Sequence, residues 1–330
     1  MPFVASGSYG CIYNPPLKCS STSRDIDIPK KTRVVSKIFS NNNEFEIEKN
    51  IQEIISKIDP DHKFTLPYYG NCNVTNLKKT AEISSCEHID LKKQKSYKQL
   101  LYQYGGKDFA DLLSNRPGSI LLFKKILKSF QPVVNGLQSI SKNKYIHLDI
   151  KPDNILYYRG KVLLIDFGIM TKKKHIFDFT NVLDHDYPFY PPEFKMYIHR
   201  NTSYSKFLQR FGSNFEYRYS INSKRVSTYD TITDLIKYDT DDQKADLIAL
   251  YNSKDIRSYT DKIDVYSLGI VLALLYVWSN YDKHEKLASK NNNFKLKVCE
   301  IIRGMIRFDP EKRYSVSKLI NEYNELIGLL

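Results

Sequence analysis

The sequence predicts an α+β fold in two lobes, a small β-rich N-terminal lobe over residues 1–104 and a larger helical C-terminal lobe over residues 105–330. Strand-like segments around a Gly-containing turn open the chain, whereas the long helical apolar period, Ile120 to Ser141, and the apolar run Leu268 to Trp278 come later. A length of 330 residues is long for one small domain and short for three, and 42% hydrophobic residues allow a large buried core.

From the N-terminus, Val4-Ala5-Ser6-Gly7-Ser8-Tyr9-Gly10-Cys11-Ile12-Tyr13 reads as a strand, a turn and a second strand. Gly7 and Gly10 lack the Cβ that would keep phosphates away from the backbone N–H groups. Arg33 to Phe39 reads as another strand, carrying Lys37. Glu44, Glu46, Glu48 and Glu53 fall in a helical pattern with Ile47, Ile51, Ile54, Ile55 and Ile58 as its apolar face, ending before Pro60. Tyr97 to Tyr104 reads as the last strand of the small lobe, and Gly105-Gly106 as the turn out of it. In the larger lobe Leu121, Phe123, Ile126, Leu127, Phe130, Val133, Val134 and Leu137 recur at helical spacing.

Fifty basic against 37 acidic side chains give a formal charge of +13. Such a balance favours acidic partners: nucleic acid, anionic proteins or phosphorylated surfaces. Richness in Lys, Asn, Ile and Tyr fits the codon bias of an AT-rich genome equally well, and composition does not choose between the two. Leu268 to Trp278 is too short to cross a bilayer, and MPFVASGSYG lacks the charged start and apolar core of a signal peptide, so no membrane span and a soluble intracellular protein are expected. Cys11, Cys19, Cys72, Cys86 and Cys299 are scattered, odd in number and without paired metal-ligand spacing; they read as free thiols rather than a zinc site.

The chemistry is concentrated in Ile146-His147-Leu148-Asp149-Ile150-Lys151-Pro152-Asp153-Asn154-Ile155-Leu156, followed by Lys161-Val162-Leu163-Leu164-Ile165-Asp166-Phe167-Gly168. Asp149 can accept a proton from a hydroxyl, Lys151 can neutralise a transferring phosphoryl group, and Asn154 can hold Mg²⁺ with Asp166, which follows an apolar strand. These residues resemble the catalytic loop and Asp-Phe-Gly motif of eukaryotic-type protein kinases, with His147-Leu148-Asp149 where that family usually has His-Arg-Asp.

The resemblance implies a bilobal protein kinase fold that binds ATP and Mg²⁺ and phosphorylates proteins. Asp-Ile-Lys-Pro-Asp-Asn, 149 to 154, is similar to serine/threonine rather than tyrosine kinases, so Ser/Thr hydroxyls are the expected acceptors. It assigns catalysis to Asp149, Lys151, Lys37 and Glu48, and the metal to Asn154 and Asp166. Glu48 is preferred to Glu46 as the partner of Lys37 because Ile51 follows one turn later on the buried side. ATP would be held by Val4, Ala5, Ser6, Gly7, Ser8, Tyr9, Gly10 and Ile12, with Ala5 where the family has a further glycine, together with Lys37, Asn154 and Asp166. Backbone groups near Gln103 and Gly105 would read the adenine edge, Tyr102 would sit at the back of the pocket, and Asp108 would reach the ribose. Tyr190-Pro191-Pro192-Glu193 stands where the family has Ala-Pro-Glu, with Arg313 as the expected partner of Glu193, and Asp264 would anchor the catalytic-loop backbone. Gly7 to Cys19, with its Pro-Pro-Leu-x-Cys extension, is similar to kinases of large nucleocytoplasmic DNA viruses; for a viral enzyme the host cytoplasm and the virion are the expected locations.

Three departures from the family stand out. Asp264 follows Glu193 by 71 positions, which marks an insertion at about 197–258. Its first half interleaves Arg200, Lys206, Arg210, Arg218, Lys224 and Arg225 with Phe207, Phe211, Phe215, Tyr217 and Tyr219; its second half is acidic, including Asp246. Cations with aromatics suit single-stranded nucleic acid or an acidic protein, while the simpler reading packs these aromatics onto the lobe. Asn280 to Asn293 is short and polar, so the helix normally found there is expected to be reduced. Finally, Leu148 cannot pair with a phosphate as the usual arginine does, which predicts activity independent of phosphorylation at Thr180, unless Lys172, Lys173 and Lys174 supply the cations. The competing function is a pseudokinase-type binding scaffold, against which stands the presence of Lys37, Asp149, Asn154 and Asp166.

Overall fold

A computed structural model describes residues 3–7, 10–20, 26, 28–75, 77–78, 81–93, 96–179, 187–194, 203, 205–206, 218–221, 224–227, 245–246, 248–249, 252, 260–281 and 292–330. The chain divides into two compact units, Met1–Gly106 and Lys107–Leu330.

In the first unit β1 (Phe3–Gly7), β2 (Gly10–Tyr13) and β3 (Val34–Phe39) are followed by helix α1 (Asn42–Ile58), β4 (Tyr68–Thr75), the short α2 (Ala81–Ser84) and β5 (Ser96–Gln103). Among the described residues the strands form one antiparallel five-stranded sheet in the order β1-β2-β3-β5-β4. Asn41 caps α1, its side chain accepting from Asn43 N. Phe45, Glu48, Ile51, Gln52 and Ile55 form the buried face of α1. The expected face is therefore corrected at Ile47, which is 53% exposed: one residue from Glu48 is a 100° rotation, enough to carry Ile47 off the stripe. Phe39 and Phe45 pack edge to face under Leu100, with Tyr68 and Tyr102 against them.

A second apolar cluster joins Cys11, Tyr13, Leu17, Ile38, Val74, Ile83, Cys86 and Tyr97. It draws in the excursions between β2 and β3 and between β4 and β5, and two disulfides fasten it, Cys11–Cys86 and Cys19–Cys72. The free-thiol expectation is thus corrected for four of the cysteines; Cys299 alone is outside a disulfide. The pairs are 75 and 53 residues apart in sequence, brought together by sheet topology that spacing cannot reveal.

The second unit begins with β6 (Lys107–Asp108), α3 (Phe109–Asn115) and the long α4 (Ile120–Lys142), whose N-cap Ser119 accepts from Leu122 N. Phe123, Ile126, Leu127, Phe130, Val134 and Leu137 are buried along α4, but Leu121, counted in the apolar period, is 66% exposed in its first turn. Short strands β7 (Tyr145–Ile146), β8 (Ile155–Tyr158), β9 (Lys161–Leu164) and β10 (Thr171–Lys172) follow; β7 pairs with β10, and β8 lies between β6 and β9. A hairpin of β11 (Arg218–Ile221) and β12 (Lys224–Ser227) lies in the insertion. Helices α5 (Ile263–Trp278), α6 (Asn292–Met305) and α7 (Val316–Gly328) complete the unit.

Helix α5 is buried on almost every side, as its uninterrupted apolar sequence requires, so this run is core. At Gly269 a Cβ would come within 2.8 Å of Met305 Cβ and 2.7 Å of Ile306 Cγ2, so the glycine lets this segment pack directly on α5. In the insertion's acidic half Asp246 is fully buried, accepting from Arg307 Nε and Nη2 and from Lys312 Nζ, each at 2.8 Å. This side chain is an internal anchor for the insertion. Lys206 is exposed, whereas Arg200, Arg210, Phe207, Phe211, Phe215 and Tyr217 lie outside the described residues, as does most of 280–293.

Candidate active site

In the first unit, β3 carries Lys37 and α1 carries Glu48. Lys37 Nζ donates to Glu48 Oε2 at 2.6 Å, with both side chains nearly buried. Glu46, two residues earlier and on the opposite side of α1, instead accepts from Lys98 Nζ at 2.7 Å, and this pairing, first through the hydrogen bond, lowers the pKa of its carboxyl. Tyr102 Oη donates to the other oxygen of Glu48, Oε1, at 3.3 Å.

The Gly-containing turn lies between β1 and β2, with Gly7 opposite Gly10 and Ala5 opposite Ile12. Val4 is 53% exposed, and Ser8 and Tyr9 lie outside the described residues. Gly10 has a packing reason that the sequence did not disclose: a Cβ there would lie 2.1 Å from Ile38 O on β3. At the end of β5, Gln103 N donates to Pro67 O at 3.0 Å and Tyr104 N to Arg33 O at 2.8 Å, so these two N–H groups are already used. Gly105 is buried, and Gly106 follows at φ +90°.

In the second unit the loop after β7 is clamped from α5: His147 N and Leu148 N donate to the two carboxylate oxygens of Asp264 at 2.8 and 3.1 Å. Burial pushes the Asp264 carboxyl up, and these N–H groups and the His147 ring oppose the shift. His147 is itself buried against Phe167, and burial pushes its pKa down. Its ring accepts from Asp149 N through Nδ1 at 3.2 Å. Asp149 Oδ2 then accepts from Lys151 Nζ at 2.9 Å and from Asn154 Nδ2 at 2.7 Å. Asn154 Nδ2 also reaches Asp149 O at 2.9 Å, so one amide fixes both main chain and carboxylate. Leu148 and Asp166 sit at φ +68° and +55°, a left-handed conformation costly for such residues and kept only where surroundings enforce it.

Asp149 is the group with the most telling electrostatics. Burial raises its pKa, Lys151 and Asn154 pull it down, and the charge of Asp166 pushes it up again. Asp166 is thus close enough for its charge to be felt at Asp149, and its Oδ1 accepts from Gly168 N at 3.4 Å. Asp108 caps α3, its Oδ1 accepting from Asp111 N at 2.7 Å, and burial raises its pKa.

The segment after Asp166 returns to the loop through apolar contacts. Leu148, only 2% exposed, packs with Ile146, Ile176, Tyr190, Phe194 and Ile263. Thr180 lies outside the described residues. Lys173 Nζ donates to Ser141 Oγ at 2.8 Å, and Lys172 and Lys174 are exposed. Glu193 and Arg313 form a fully buried two-pronged pair, Nη1 to Oε1 and Nη2 to Oε2, the latter at 2.8 Å.

The protein kinase domain family matches residues 19–207, more than half of the chain. The chain belongs to the protein kinase family. The kinase domain is 29% identical over 127 residues to serine/threonine-protein kinase MPS1 of Encephalitozoon cuniculi, covering 38% of this chain and 20% of that protein. It is 33% identical over 113 residues to the serine/threonine-protein kinase stk11 homolog of Dictyostelium discoideum, covering 33% and 19%. Over 71 residues it is 41% identical to cyclin-dependent kinase 9-A of Xenopus laevis, covering 21% and 19%. It therefore spans about a fifth of the length of these relatives. Among the described residues of the kinase no helix is long and apolar enough to cross a membrane.

Proposed function

We propose that this chain transfers the γ-phosphoryl group of Mg-ATP to Ser or Thr hydroxyls of proteins. The observation that carries the reading is Asp149, a partly buried carboxylate held by Lys151 and Asn154 in a loop whose backbone is clamped by Asp264. With Oδ2 taken, Asp149 offers Oδ1 to an incoming hydroxyl, orients it and accepts its proton. Lys151 offsets negative charge on the group in flight, and Lys37, held by Glu48, does so at the phosphates. Gly7 and Gly10 line the phosphates, and the carbonyl of Gln103 with groups at Gly105 reads adenine.

The donor set fits Mg²⁺. Asn154 gives its amide N–H to Asp149, which leaves its amide oxygen, and Asp166 adds a carboxylate; Mg²⁺ takes one or two such oxygens and completes its shell with water and phosphate. Held by Asn154 and Asp166, Mg²⁺ would supply charge neutralisation to the phosphates of the nucleotide.

The Pro-Pro-Leu-x-Cys extension supports an origin in a large DNA virus, with acceptors in host cytoplasm or virion. The net charge of +13 supports acidic protein acceptors, and nucleic acid through the insertion is the second class it suits. The deciding assay is transfer of labelled phosphate from Mg-ATP to acidic and basic protein substrates, with phosphoamino-acid analysis and an Asp166→Ala control. Label on Ser or Thr that vanishes in the control supports the reading; nucleotide binding without transfer by the wild type points to the scaffold.

Two expected results follow from the loop. Because Lys151 lowers the Asp149 pKa, Lys151→Ala moves the acid limb of the kcat/KM profile to higher pH; an unmoved limb in a pH series excludes Asp149 as the titrating base. Because an apolar cluster around Leu148 holds the segment, Thr180→Ala retains activity within about two-fold, measured on enzyme whose phosphorylation state is known by mass spectrometry, and a large loss sinks phosphate independence.

A further inference from the structure

The Lys37–Glu48 pair has a third member. Glu48 reaches from α1 to two strands at once: Oε2 takes Lys37 Nζ of β3 at 2.6 Å, and Oε1 takes Tyr102 Oη of β5 at 3.3 Å. We infer that Tyr102 is a positioning residue, whose hydroxyl fixes the carboxylate plane of Glu48 so that Lys37 is presented to the phosphates of ATP. This inference rests on the kinase reading.

Three features argue for it. A carboxylate held at one oxygen can swing about its terminal torsion, which is broad; a second donor from a different strand removes that freedom. The donor is itself rigid: Tyr102 lies opposite Val35 on β3 and Tyr68 on β4, and its ring packs on Tyr68 at 5.6 Å and on the Phe39–Phe45–Leu100 cluster. Tyr68 is in turn held by a hydrogen bond from Asn71 Nδ2 at 3.2 Å. The neighbouring acid does not compete, since Glu46 is engaged by Lys98. At 3.3 Å the Tyr102 contact is longer than the usual O–H···O bond, so its effect on Glu48 is smaller than that of the Lys37 bond.

Tyr102→Phe tests this, because it keeps the ring and removes only the donor. The full chain is treated with an amine-acylating reagent, and the labelling rate of Lys37 is read by peptide mass spectrometry against exposed Lys107. Loosening Glu48 speeds acylation of Lys37 by about 3–10-fold and lowers kcat by a similar factor, with KM for ATP changed less than about two-fold. In a Glu48→Ala background Tyr102→Phe adds nothing to the Lys37 rate, since the hydroxyl acts through Glu48. An unchanged Lys37 rate in Tyr102→Phe, or the same acceleration without Glu48, overturns the inference. If the wild-type chain transfers no phosphate, the kinase reading fails on its own, and the labelling rate still decides the role of Tyr102.

Discussion

Asp149→Asn lowers kcat by about 10²–10⁴-fold while the protein still folds and binds nucleotide. The size follows from what is lost: a proton acceptor whose basicity burial has raised, replaced by an amide of equal volume that cannot take a proton. The fold survives because the loop is held by its backbone, His147 N and Leu148 N on Asp264, which the substitution leaves in place. A carboxyl whose pKa is raised in the folded state binds its proton more tightly there than when unfolded, so its ionisation costs stability as pH rises from the unfolded to the folded value. At neutral pH the full cost is present, and the uncharged Asn escapes it. Thermal unfolding of Asp149→Asn at pH 7 therefore occurs at or above the wild-type temperature, so that lost rate and retained fold separate cleanly. A variant with wild-type kcat shows that the proton leaves by another route; a variant that loses rate only because it unfolds shows that Asp149 is structural.

Much of this arrangement was legible because short motifs fix geometry locally. Asp149, Lys151 and Asn154 lie within one loop, so their mutual contacts follow from their spacing once the loop closes. The Lys37 contact with Glu48 follows from the family resemblance, which pairs a strand lysine with a glutamate of the next helix, although the apolar count places the helix face wrongly at Ile47. The error has a physical source: the buried face of α1 contains two polar residues, Glu48 and Gln52, and an apolar count passes over both. The same blindness hid Asp246, which looked like one more acid in an acidic run yet is fully buried between Arg307 and Lys312. In the sequence, Leu148 marks the loss of a phosphate-binding cation. That it also gains a packing role against Ile176, Tyr190 and Phe194 depends on contacts distant in sequence.

The cysteines were the largest misreading, and their pairing sets up the other large effect. Reduction of Cys11–Cys86 and Cys19–Cys72 lowers the unfolding temperature of the N-terminal unit by on the order of 15 °C. Loops of 75 and 53 residues each correspond to about 4 kcal/mol of chain entropy removed from the unfolded state. The second loop lies inside the first, so the joint effect is less than the sum. On the proposed reading of the Gly7–Gly10 turn as a phosphate cradle the consequence reaches the nucleotide, because Cys11 follows Gly10 directly on β2 and its disulfide pins that strand to the segment around Cys86. Reduced enzyme should therefore show a higher KM for ATP before it unfolds. The bridges also bear on where the chain matures, since a reducing cytoplasm keeps thiols unpaired. Thiol titration of denatured, unreduced protein should find one reactive sulfur, Cys299, and five after reduction. Differential scanning fluorimetry and ATP kinetics with and without a dithiol reductant complete the test: five thiols at the outset, or a transition that reduction does not move, would remove the disulfides from any account of this lobe.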